Sequence, residues 1–106
     1  MSFAKFSTLP TRSPFPGIAG RYVHLERMTF GEVDLAAGTV LPSHHHPHEQ
    51  ITYVLSGRFE FTVGPETQIL EAGMAAVIPG HTPHSGRALT ACRVVDVFAP
   101  VRADYQ

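Results

Sequence analysis

The stretch Leu41-Pro42-Ser43-His44-His45-His46-Pro47-His48-Glu49-Gln50-Ile51-Thr52-Tyr53-Val54-Leu55-Ser56-Gly57 decides how this chain is read. Four histidines fall within five positions, a Glu49-Gln50 pair follows, and an alternating apolar run closes at Ser56-Gly57. In extended chain, side chains two apart share a face, so His44 and His46 point one way and His45 the other. Gln50 keeps that parity if the chain stays extended past Pro47, and Glu49 falls on the opposite face. A second cluster, Ile78-Pro79-Gly80-His81-Thr82-Pro83-His84, follows two further strand-like segments. His84, behind its proline turn, is the candidate to complete a set with His44, His46 and Gln50. Three imidazoles and an amide oxygen suit one divalent transition metal (Zn, Ni, Mn, Fe or Cu), and four neutral donors leave it fully cationic. Such a centre is a Lewis acid that favours an anionic ligand. His45 and His48 read as surface or supporting groups and His24 as an ordinary strand histidine. His81 stays open between the rim of a site and plain surface.

Outward from that stretch, nine prolines and nine glycines cut the chain into short pieces. No segment carries apolar residues at helical spacing over three turns with a cap in front. What recurs is runs of five to eight residues rich in Val, Ile, Phe, Tyr and Thr between Gly and Pro, the pattern of an all-β sandwich or barrel. Residues 1–20, with Pro10, Pro14, Pro16 and Gly17, read as an N-terminal extended arm, and residues 21–106 as a single barrel domain. Strands are expected over 21–29, 30–36, 51–55, 58–63, 67–70, 74–78 and 93–98. A tight connection is expected at Phe30-Gly31, a positive-φ turn at Gly57, a loop over 79–86 and a polar tail after Phe98.

At 106 residues the chain holds one modest core, and pairing with a second copy would help it. With 16% charged residues and a net charge of −1, it has no basic surface for nucleic acid or an anionic membrane. Cys92 is the only cysteine, so no internal disulfide forms. No signal-peptide-like core opens the chain, and no run of about 18 apolar residues occurs, which predicts a cytoplasmic protein.

Gly38, His44-x-His46, Gln50 and Gly57, followed by Gly73, Pro79 and His84, resemble the two motifs of the RmlC-like cupin superfamily. The resemblance implies a double-stranded β-helix (jelly-roll) barrel, usually a homodimer. Two departures stand out: His81 occupies a position that is usually Gly or Asn, and Ala88 one that is often Asn. The segments from His46 to Phe61 and from Asp96 to Tyr105 are similar to pectin-degradation cupins of the KdgF type. Those proteins are linked to the linearisation of 4,5-unsaturated monouronates into open-chain keto-deoxy uronates. That resemblance implies His44, His46, Gln50 and His84 as metal ligands, and Asp96, Phe98 and Arg102 as catalytic or substrate-contacting residues.

The chemistry of the tail agrees. Val94, Asp96 and Phe98 share a strand face, so the carboxylate sits among apolar neighbours, where desolvation raises its pKa toward acid/base work. Arg102, beyond Pro100, is placed to take a small anionic substrate's carboxylate, with Phe98 as a flat wall for a sugar ring. The plainer alternative is that Asp96 and Arg102 pair with each other to pin the tail. Two other functions fit the same residues: an Fe(II) dioxygenase, and a non-catalytic module that holds a small ligand.

Overall fold

A computed structural model describes residues 2–106. Nine strands form two antiparallel sheets: β1 Ile18–His24, β2 Thr29–Leu35, β3 Val40–His44, β4 Glu49–Ser56, β5 Phe59–Val63, β6 Glu66–Leu70, β7 Ala75–Ile78, β8 His84–Ala88 and β9 Cys92–Ala99. The five-stranded sheet runs β1-β2-β9-β4-β7 and the four-stranded sheet β3-β8-β5-β6. Outside them, the described residues form only two single 3-10 turns, Phe6–Thr8 and Ala103–Tyr105. The all-β expectation holds, and no helix among the described residues is long and apolar enough to cross a membrane.

Alternation sets which side chains go inside. Along β4, Gln50, Thr52 and Val54 are buried between exposed neighbours, and Val33, Leu35, Val94 and Phe98 are buried between less buried neighbours on β2 and β9. Phe59, Phe61 and Ala88 answer them from the facing sheet, and Leu70 and Ile78 close the core between the two. Register then stacks inward positions of the five-stranded sheet into rows. His24, Thr29, Phe98, Gln50 and Ile78 form one row; Tyr22, Gly31, Asp96, Thr52 and Ala76 form the next, one step deeper. Below them Gly20, Val33, Val94 and Val54 begin the wholly apolar core. The polar groups are therefore gathered at one end of the barrel.

Several boundaries differ from the sequence reading. β1 begins at Ile18 rather than residue 21, and its connection to β2 lies at residues 25–28, where Leu25 N–H donates to the Met28 carbonyl at 2.9 Å. Gly31, expected in a tight connection, sits mid-strand, because any Cβ there would overlap the Tyr22 ring lying across it. The expected loop over 79–86 ends at Pro83, and β8 starts at His84. Gly86 within β8 leaves room for the rings of Phe59 and Phe61. Gly57 takes φ 88° in its turn, as expected. The arm lies back along its own barrel: Arg12 bridges to Gly20, and Phe15 packs against the core and the His44 ring.

Candidate metal centre

The barrel end gathers three imidazoles. His44 closes β3 opposite His84, which opens β8, and their ring centroids lie 4.2 Å apart. His46 follows in the loop to β4, 4.9 Å from His84 and 5.8 Å from His44 by centroid. One nitrogen from each of the three lies within 4.8 Å of the others. His44 reaches the inside by a different route from simple strand parity. β3 carries a bulge between Leu41 and His44, so these two residues, three apart, both turn inward. Pro42, which has no N–H to give a ladder, stands within it.

All three rings are held in the same tautomer. Nδ1 of His44 lies 2.8 Å from the Pro42 carbonyl, Nδ1 of His46 3.1 Å from the His48 carbonyl, and Nδ1 of His84 2.9 Å from the Thr82 carbonyl. A carbonyl only accepts, so each Nδ1 carries the proton and each Nε2 presents a lone pair. This is the backbone support that metal-binding histidines use. Burial pushes the His84 pKa down to about 4 and also lowers that of His46, so neither ring becomes a cation near neutral pH.

Gln50 joins the lone pairs. Thr52 donates its hydroxyl proton to Asp96 Oδ1 at 2.6 Å, leaving its oxygen to accept from Gln50 Nε2 at 2.9 Å. That fixes the amide with Oε1 turned toward the histidines, 3.0 Å from His46 Nε2. Two acceptors then face each other without a proton between them, and His84 Nε2 is buried with no partner among the described residues. Shared coordination of a cation resolves both conflicts, so the donor set fits a divalent metal.

Deeper in the same wall, Asp96 is half-buried, and desolvation raises its pKa to about 6 against the opposing pull of the Thr52 and Gln50 hydrogen bonds and the Arg102 charge. Arg102 does not pair with Asp96, which removes the tail-pinning alternative. Its fork instead meets Asp104, Nε to Oδ1 at 3.0 Å and Nη2 to Oδ2 at 2.7 Å. The guanidinium lies over the rings of Phe98 and Tyr105, 4.8 and 4.1 Å from their centroids. A narrow cavity runs between these groups, lined by His44, Gln50, Asp96, Phe98, Arg102 and Tyr22 among others.

A profile of the cupin domain matches residues 31–98. The chain is a cupin. It is 36% identical over 75 residues to the pectin degradation protein KdgF of Dickeya dadantii, a span covering 69% of this chain and 68% of that protein. It superposes on the structure of KdgF from a Halomonas species with TM-score 0.92 and 33% identity, covering 99% and 100% of the two chains. An RmlC-like cupin from Shewanella frigidimarina superposes with TM-score 0.94 at 22% identity, covering 100% and 96%, which speaks for the fold.

In this cupin, the residues singled out by sequence converge on one barrel end, and the remaining histidines sort around them. His45 is exposed. His48 stands behind the site: its Nε2 donates to the Val101 carbonyl at 3.2 Å, and its ring meets those of His46 and Phe98 edge-on. His24 lies beside Thr29, Nδ1 to Oγ1 at 2.8 Å. His81 has an exposed side chain, and its contribution is its backbone, whose N–H donates to the His46 carbonyl at 2.7 Å. Its φ of 63° lies in the left-handed region that Gly and Asn adopt readily.

Three polar residues of the site escaped the sequence reading. Thr52 orients Gln50, and the period-two pattern of β4 already placed it on Gln50's face. Thr29, fully buried, accepts the Arg102 N–H at 2.9 Å, a contact across 73 positions that leaves no local mark. Tyr22 reaches the cavity wall because Gly20 and Gly31 both lack side chains beneath its ring.

Proposed function

We propose that this cupin is a metal-dependent enzyme that linearises a 4,5-unsaturated monouronate, through a divalent metal held by His44, His46, Gln50 and His84. The observation that carries the reading is that one cavity is lined by a half-buried carboxylate, a buried guanidinium, Gln50 and His44, the last of which belongs to the three-histidine cluster. The similarity to two KdgF proteins supports the substrate class.

The reaction is an isomerisation. The ring C–O bond at the anomeric carbon breaks as the anomeric hydroxyl loses its proton, giving an aldehyde; the enol released at C5 becomes a ketone as C4 gains a proton. Atoms and electrons balance without an oxidant. A bound divalent metal supplies Lewis acidity toward a substrate oxygen. Asp96, with a pKa near 6, exists in both protonation states near neutrality and can take one proton and return another. The Thr52 hydroxyl stabilises its ionised form. Arg102 binds the substrate carboxylate and Phe98 packs against the ring.

The test is turnover of an unsaturated monouronate, followed by loss of its conjugated ultraviolet absorbance, beside metal quantification and a chelator arm. Acceleration over the spontaneous rate that chelator abolishes and metal restores is the expected result. Fully metal-loaded protein with no acceleration would remove the reading and make oxygen uptake by the Fe(II) form the next question.

The working form is a homodimer paired through the outer face of the five-stranded sheet. There Ile51 lies beside Val77 and Val97, Val97 beside Phe30, and Tyr53 beside Ala75 and Val95, an apolar patch in which Val77 is 69% exposed. Light scattering should give twice the chain mass, and Val77→Glu should weaken association by about a hundredfold by burying unpaired charge. A monomeric wild type would sink the dimer.

A further inference from the structure

The C-terminal tail carries a carboxylate with no role in the chemistry above. Asp104 sits on the Ala103–Tyr105 turn, two residues after Arg102, and its side chain is 58% exposed whereas that of Arg102 is 11% exposed. A guanidinium taken out of water needs a counter-ion, and Asp104 supplies it from the solvent side. The pair uses only the Nε–Nη2 edge of the fork. The Asp104 contact leaves Nη1 outside the pair, and Arg102 lines the cavity whereas Asp104 does not.

Three restraints act on this one residue. Thr29 Oγ1 holds the Arg102 backbone N–H. The Phe98 and Tyr105 rings fix the plane of the guanidinium. Asp104 fixes rotation within that plane, because the fork is rigid and pinning one edge aims the other. The Arg102 charge in turn keeps Asp104 ionised by lowering its pKa, so the clamp persists into acidic solution.

From this arrangement we infer that Asp104 is a positioning residue that aims the free edge of Arg102 at an incoming carboxylate, and so sets the preference of the site for uronates over neutral sugars. The inference rests on the proposed role of Arg102 in binding the substrate carboxylate. Because Asp104 stands outside the cavity, a ligand gains the aimed cation without displacing it, and the ordering of the arginine precedes binding.

The experiment is calorimetric titration of the metal-loaded protein with D-galacturonate, a saturated monouronate that cannot react, and with D-galactose as the neutral control. Wild type should prefer galacturonate by about tenfold or more, the scale of one charge-assisted bidentate contact. Asp104→Ala should erase most of that preference without changing galactose binding or metal content, and should lower the melting temperature, because the buried guanidinium loses its counter-ion. Asp104→Glu should recover part of it, and KM for the unsaturated monouronate should rise in Asp104→Ala while kcat holds. An Asp104→Ala protein that binds galacturonate as well as wild type, or better, overturns the inference alone. A wild type without preference for galacturonate removes the role of Arg102 in the proposed function, and the inference with it.

Discussion

Asp96→Asn should lower turnover of an unsaturated monouronate by about a thousandfold, within the range that one general acid/base group supplies, while metal content stays unchanged. Asparagine is isosteric and still accepts the Thr52 proton, so the Gln50-Thr52 geometry is kept and only the titrating group is lost. A second consequence separates this role from a structural one. The Asp96 pKa is raised to about 6, above its value in the unfolded chain, so the folded protein binds that proton more tightly. Ionisation therefore costs folding free energy as pH rises through the window from about 4 to about 6. The metal-free Asp96→Asn protein should gain roughly 3 kcal/mol over metal-free wild type at pH 8, and little at pH 4, where the folded chain keeps the Asp96 proton and the unfolded chain keeps roughly half of it. Urea unfolding at the two pH values, beside the kinetic assay, checks both halves. Surviving turnover would end the acid/base assignment.

His84→Ala and His44→Ala should each drop bound metal from about one per chain to a small fraction and cut turnover at least a hundredfold. Their effects on stability should differ. The His84 side chain is 1% exposed and stacks on Phe61, so its removal should cost the metal-free protein about 2–4 kcal/mol, as for other buried large-to-small changes. His44 is half-buried, at the end of an edge strand, and its removal should cost little. Metal loss shared by both variants, with destabilisation in one, separates ligation from packing. Wild-type metal affinity in either would overturn the ligand set, which metal analysis after dialysis and denaturant melts decides.

The residues bearing this chemistry were legible because their types are costly anywhere else. Two closely spaced histidines with Gln50, and His84 behind its proline turn, have no ordinary place in an apolar core, and Asp96 between Val94 and Phe98 breaks an otherwise hydrophobic face. Glycine misled. At Gly31 and Gly86 it read as punctuation, but both lie inside strands and serve close approach of an aromatic ring. The connection at residues 25–28, which contains Glu26 and Arg27 but no Gly or Pro, carried no turn signal at all.

By itself, then, the sequence determined the all-β class, the cupin motifs, the polarity of each strand face and the identity of the groups that converge. Those properties are local: period-two burial, residue chemistry and short spacings write them into neighbouring positions. Tertiary structure alone decided the pairings between distant positions. It set Asp96 against Thr52 rather than Arg102, anchored Arg102 on Thr29, and turned its fork to Asp104. Each depends on strand register or on where the tail folds back, and a hydrogen bond between remote residues leaves no pattern along the chain. The bulge that turns His44 inward belongs to the same class, because it exists only where β3 meets β8.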